Sequence, residues 1–211
     1  LSYNKIILET MNELPGIQYF GNIYYFKILL QTSDIIFDQY EAHRKTSFNN
    51  RCLIAGANGP ILLSIPLQQG RLQKTILKDI RISKDEKWQQ RHWRSIVSSY
   101  NPSPWFNHYS DKMAQLFSLP FEFLIDWNLA CLEWTLQVLK AGVDYRLNKE
   151  NELAGPMADY ASRKKQDIQH LPDLRYQQVF EDRNGFIPGL SIIDVLFCEG
   201  PQRSRSLLTL G

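Results

Sequence analysis

The sequence predicts an α/β protein: a small mixed sheet with a βαβ start and a β-hairpin, followed by a helical layer and an irregular C-terminal extension. Three observations predict it. Ile17–Phe20 and Ile35–Phe37 read as strands around a helix-like run, a compact strand–helix–strand unit that favours a parallel pair. Arg51–Ala55 and Ile61–Leu67 flank Gly56-Ala57-Asn58-Gly59-Pro60, a turn in which Asn-Gly suits positive φ. Beyond Trp88, apolar residues recur at helical rather than strand spacing.

Ile6–Leu8 fits either a short strand or one helical turn, and Pro15-Gly16 breaks the chain after it. Asn22 is the expected N-cap of a helix over Ile23–Gln31, apolar round most of its circumference and therefore buried or packed on the sheet. Ile80–Ile82 alternates as a short strand. Trp88, His92, Trp93, Ile96, Val97 and Tyr100 form one helical face, which Asn101-Pro102-Ser103-Pro104 ends. A second helix is expected over Trp105–Phe117. A third is expected over Phe121–Lys140, with Gly142 as its C′ glycine. On the third, Glu122, Asp126, Glu133, Gln137 and Lys140 share the solvent stripe; Asn128 lies off it, and buried there its amide needs partners. Tyr176–Phe180 and Phe186-Ile187 flank Asn184-Gly185 as a short hairpin. Ser191–Asp194 resembles a capping box opening a helix through Phe197, which Gly200-Pro201 stops.

The chain of 211 residues divides into an α/β core with its helical layer (1–145), a mobile loop or linker (146–172) and a C-terminal extension packed on the core (173–211). Twenty-four bases against 22 acids leave a net charge of +2, too balanced to predict nucleic-acid binding. Cys52, Cys131 and Cys198 are isolated among apolar residues, so they read as buried thiols in a reducing, cytoplasmic compartment; no metal and no cofactor is expected. The most apolar run, Phe121–Leu139, carries Glu122, Asp126, Asn128, Glu133 and Gln137, which argues against a membrane span. No signal peptide is read at Leu1–Thr10.

The chemistry concentrates in Asp38–Arg51, at a strand end, where open α/β sheets bind ligands. Arg44, Lys45 and Arg51 can hold a phosphate or carboxylate, the arginines through a bidentate fork. Tyr40 and Asn50 can orient a sugar, and His43 can move a proton near neutral pH. His92 is the candidate general base; the competing reading is a core histidine satisfied by a carbonyl. Tyr19, Tyr24, Tyr25, Tyr40, Trp88, Trp93, Tyr100 and Trp105 could stack on sugars or bases, although packing accounts for most such rings. Arg163-Lys164-Lys165 reads as a solvated run, and Ser191 with Asp194 as a helix cap. Nucleophile-elbow, dinucleotide, P-loop and zinc-protease motifs are absent from the sequence.

These stretches together resemble the WbqC-like family. The resemblance is carried by Tyr19-Phe20-Gly21 with Tyr25-Phe26; Asp38-Gln39-Tyr40-Glu41; Lys45; Asn50-Arg51-Cys52; Leu63-Ser64-Ile65-Pro66; Lys78-Asp79-Ile80-Arg81-Ile82; and Trp88 with His92-Trp93. Ser99-Tyr100-Asn101 with Ser103-Pro104, and Ser191–Asp194 with Gly200-Pro201, extend it to about residue 201. Asn22 stands where the family commonly has Pro, His43 where it has Tyr, and Asn49 where a base is frequent. The resemblance implies bacterial surface-polysaccharide (O-antigen) biosynthesis and carries over no catalytic residue.

The expectation is a cytoplasmic transferase of that context, moving an acyl, aminoacyl or glycosyl group onto an activated sugar. His92 would be the base, and Tyr40, Lys45, Asn50, Arg51 and Tyr100 would bind an anionic small molecule such as a nucleotide-sugar. The alternative is a non-catalytic module binding a sugar nucleotide or a partner protein. Oligomeric state is not read from the sequence.

Overall fold

The computed structural model describes residues 16–32, 35–43, 48–68, 75–84, 87–150, 152 and 174–209. The expected N-terminal element at Ile6–Leu8, the cations Arg44 and Lys45, the basic triplet at 163–165 and most of the expected linker lie outside them.

The α/β reading holds. Helix α1 spans Ile23–Gln31, and the Asn22 side chain caps it, accepting from the Tyr25 N–H at 2.8 Å. Strand β1 (Ile35–Phe37) follows. Its parallel partner is β4 (Tyr145–Leu147), with Ile35 opposite Tyr145, rather than Ile17–Phe20. The latter segment carries no ladder and turns at Phe20, where φ is 40°. Strands β2 (Arg51–Ile54) and β3 (Ile61–Ser64) form the expected antiparallel hairpin as a separate two-stranded sheet. Ile80–Ile82 contributes isolated bridges, Leu67 to Ile82 and Arg81 to Phe123.

The helical layer follows: α2 (Trp88–Tyr100), α3 (Phe106–Ser118) and α4 (Leu124–Leu139). The left-handed position ending α4 falls on Lys140 (φ 50°), so Gly142 is not its C′ residue. Glu122, Asp126, Glu133, Gln137 and Lys140 are all exposed, and Trp127 on the opposite face is fully buried. The rings of Tyr19, Phe20, Trp88, Phe117 and Phe121 lie around Trp127, with centroids 5.0 to 6.5 Å away. No helix among the described residues is long and apolar enough to cross a membrane.

The expected hairpin near residue 180 is instead a short helix, α5 (Glu181–Asn184), closed by a side chain. The Gln178 amide accepts from Ile187 N and donates to Ile187 O, both at 2.8 Å, and so replaces a strand partner. Helix α6 (Ile192–Thr209) breaks at Gly200-Pro201 as expected and then resumes. Asp194 does not act as a capping-box acid. Its buried carboxylate accepts from the Tyr100 and Tyr176 hydroxyls, both at 2.7 Å, joining α2, α6 and the segment before α5.

Two predictions follow from this packing. Burial pushes the Asp194 carboxyl up to about 6, against the downward pull of the two tyrosine hydrogen bonds. The folded state then holds a proton that the unfolded state has released, so this stability is full below about pH 4 and is lost as pH rises through 6. Asp194→Asn removes that loss. Relative to wild type, its urea midpoint will rise between pH 4 and 7 by an amount worth about 3 kcal/mol; parallel curves would contradict the assignment. At Gly200, φ is 73° and ψ 178°, and a Cβ would lie 2.3 Å from the Trp105 ring. Gly200→Ala will cost about 3 kcal/mol in denaturant unfolding; a wild-type midpoint would show that the kink can relax.

Candidate functional site

The segment from Asp38 to Arg51 leaves β1 and enters β2, and its described parts are pinned at both ends. At the start, Gln39 N donates to the Asn148 side chain at 3.0 Å. Gln39 Nε2 donates to the Asn148 carbonyl at 2.6 Å, and Asn148 Nδ2 to Asp38 at 2.8 Å. The backbone then pairs with Thr75–Lys78 through Lys78 N to Gln39 O, Leu77 N to Glu41 O and His43 N to Thr75 O. At the far end Tyr19 N donates to Phe48 O, and Ile65 N to Asn50 O.

Asn49 and Asn128 lie beneath the segment. Asn49 Nδ2 donates to Ile17 O at 2.9 Å and to Glu41 Oε1 at 3.3 Å. Asn128, fully buried on α4, donates through Nδ2 to Asn49 O at 2.8 Å and Ile17 O at 3.4 Å. These are the partners its position off the polar stripe requires. Its Oδ1 is buried without a partner, as is Gln18 Oε1.

Arg51 opens β2 opposite Ser64. It is half-buried, and its Nε lies inside the protein without a hydrogen-bond partner. His43 is half-buried beside it, with a buried Nδ1 that also has no partner. Burial, then the Arg51 charge, hold His43 below the ordinary histidine range, so it is neutral at neutral pH. A guanidinium with an unpaired N–H next to a neutral imidazole can take an anion.

The other expected site residues occupy different surroundings. Tyr40 is half-buried near this segment. Its N–H donates to Asp38, and its ring lies 5.6 Å from the Lys78 ammonium. The Asn50 side chain donates to Ile65 O at 3.0 Å and so holds the hairpin. Tyr100 is fully buried; besides donating to Asp194, its oxygen accepts from Ala55 N at 3.0 Å. His92 is 5% exposed, with Nδ1 3.0 Å from the Tyr19 hydroxyl and a hydrogen bond to the Ser64 backbone. Burial pushes it down to about 4, only partly offset by that backbone bond.

The structure thus groups Arg51, His43, Glu41 and Asn49, with Tyr40 close in sequence, and sets Tyr100 and His92 in the interior. Sequence reasoning placed Glu41 and Asn49 inside the candidate segment without giving either a role, and did not single out Gln18. Only Asn128, an amide on the apolar side of a helix, carried a legible signal.

Compared with known proteins, residues 18–163 match the WbqC-like protein family. No curated protein and no solved structure matches the chain. The match spans more than half of the sequence and contains the whole of the Asp38–Arg51 segment and its amide support. The chain belongs to the WbqC-like protein family.

Proposed function

We propose that this protein acts in bacterial surface-polysaccharide (O-antigen) biosynthesis by holding an anionic, sugar-bearing small molecule such as a nucleotide-sugar and modifying it as a transferase. One observation carries the reading: Arg51, a half-buried guanidinium whose buried Nε has no hydrogen-bond partner. A partly desolvated cation without a counterion is unfavourable in the free protein, and a phosphate seated on its fork offsets that cost. Neutral His43 beside it accepts a proton from an attacking hydroxyl or amine. Tyr40 flanks the grip, and Lys45 enters this reading from its sequence position alone. Asn50, Tyr100 and His92 act from beneath, by fixing the hairpin and the interior on which the segment rests.

A second reading, a non-catalytic binding module in the same context, is favoured by the burial of His92, whose Nδ1 meets the Tyr19 hydroxyl. Calorimetry with UDP-, dTDP- and GDP-linked hexoses, followed by product analysis with candidate acceptors, separates the two. Turnover supports the transferase, and binding without turnover the module.

Arg51→Gln tests the grip. It will weaken nucleotide-sugar binding by about tenfold or more and flatten its salt dependence. Because its buried Nε has no hydrogen bond to lose, thermal stability will stay at the wild-type value or rise. Unchanged affinity in a folded variant would remove the proposed anion site.

A further inference from the structure

A cavity of about 600 Å³ lies where the α2–α3 turn, the segment around α5 and the kink of α6 meet. Ligand pockets are commonly of this size. Asn184 on α5 donates to Gly56 O at 2.9 Å, so α5 abuts the turn at the far end of β2 from Arg51. Residues 51 to 56 at a strand's rise span roughly 15 Å, too far for one small anion to bridge. The walls are held by bonds that leave the cavity itself open. Trp105 N donates to Phe197 O at 3.0 Å and Ser103 Oγ to Tyr100 O at 2.6 Å, which seats the turn on α6. The Gln178 side chain is committed to Ile187. A site fixed in this way loses little freedom when a ligand enters.

Its lining combines apolar walls with cationic groups. Pro102, Pro104, Val179 and Phe180 supply the walls, and the exposed Arg183 and Arg203 supply the charge. The acid of the cavity, Glu199, is already engaged. Its Oε1 accepts from Gln177 N at 3.1 Å, and its Oε2 pairs with Arg203 Nε at 2.6 Å. That pairing leaves the Arg203 Nη donors outside it. Among the described residues Arg183 has no carboxylate partner. Two guanidiniums against one carboxylate leave a positive balance that a monoanion neutralises. A phosphate dianion would leave surplus negative charge beside Glu199. Cys198 also lines the cavity, and burial raises its thiol well above the ordinary range. It stays protonated and offers soft apolar surface, not a nucleophile.

We infer that this cavity is a second binding site, for a small carboxylic acid with an apolar body. The carboxylate lies on Arg183 and the Arg203 Nη groups, and the hydrocarbon lies against Val179, Phe180 and the two prolines. Charge and apolar surface are both needed. A guanidinium as exposed as these holds a bare anion weakly, because water competes for it and salt screens it. The apolar walls add the affinity that the charge alone lacks, and the charge sets which end of the ligand faces out. The site stands apart from the Arg51 grip and does not depend on it.

Calorimetry with hexanoate tests the site. Wild type will bind it at about millimolar concentration, as suits a ligand of that size. Arg183→Gln will weaken binding about fivefold or more at an unchanged melting temperature, since the side chain is exposed. Arg51→Gln will bind hexanoate as wild type does. Hexanol, which lacks the charge, and acetate, which lacks the body, will both bind more weakly than hexanoate. A second readout locates the ligand. Cys52 and Cys131 are buried and Cys198 is only partly so, so in the folded protein a small mercurial will react with Cys198 first, and hexanoate will slow that reaction. Absence of hexanoate binding, or binding that Arg183→Gln leaves intact, would overturn the site. So would mercuration of Cys198 at the same rate with hexanoate bound.

Discussion

One buried amide determines where the functional segment can lie. Asn128 projects from the apolar side of α4 and donates to the carbonyls of Ile17 and Asn49, two backbone positions far apart in sequence. An unpaired amide at that depth would be costly, so the pairing fixes both strands of chain against α4. Asn49 then turns its own side chain to Ile17 O and Glu41, and the next two residues, Asn50 and Arg51, begin β2. The direction in which Arg51 leaves the surface is therefore set from below, by hydrogen bonds that it does not make itself.

The interior around this node is occupied by aromatic rings rather than reactive groups. Trp127 sits next to Asn128 with five rings about it, and His92 belongs to the same assembly through Tyr19 and Trp88. Tyr100 and Asp194 make a second polar tie on the far side of β2, through Ala55. Both ties use chemistry that would suit an active site and spend it on support. Unpaired buried atoms occur both within the aromatic interior, at Tyr109, Trp127 and Trp134, and at the Asp38–Arg51 segment, at Arg51 Nε and His43 Nδ1. Only the second pair joins a cation to an imidazole on half-buried side chains.

Local signals were legible in the sequence and non-local ones were not. Asn22 before an apolar run marks the start of α1, and the spacing of Trp88, Ile96 and Tyr100 marks α2, because both depend on neighbours within a few turns. The partner of β1 lies more than a hundred residues downstream, and nothing in Ile35–Phe37 names it. Phe20 at positive φ and Lys140 in place of Gly142 are imposed by packing against the usual preferences of those residue types. The segment Asp38–Arg51 drew attention through its density of charges. Its surroundings did not, since an orphaned oxygen such as Gln18 Oε1 is a property of surroundings and not of identity. His92 shows the converse: a motif-like histidine among tryptophans whose chemistry is consumed by Tyr19 and Ser64.

The central claim is that Arg51 is a cation held open for an anionic ligand. The most direct measurement is the side-chain Nε–Hε correlation of the arginines in a nitrogen-15 labelled sample, followed while a nucleotide-sugar is added. The account predicts that the Arg51 resonance shifts and saturates with binding while the exposed arginines remain still. A saturated protein in which the Arg51 signal has not moved would contradict it.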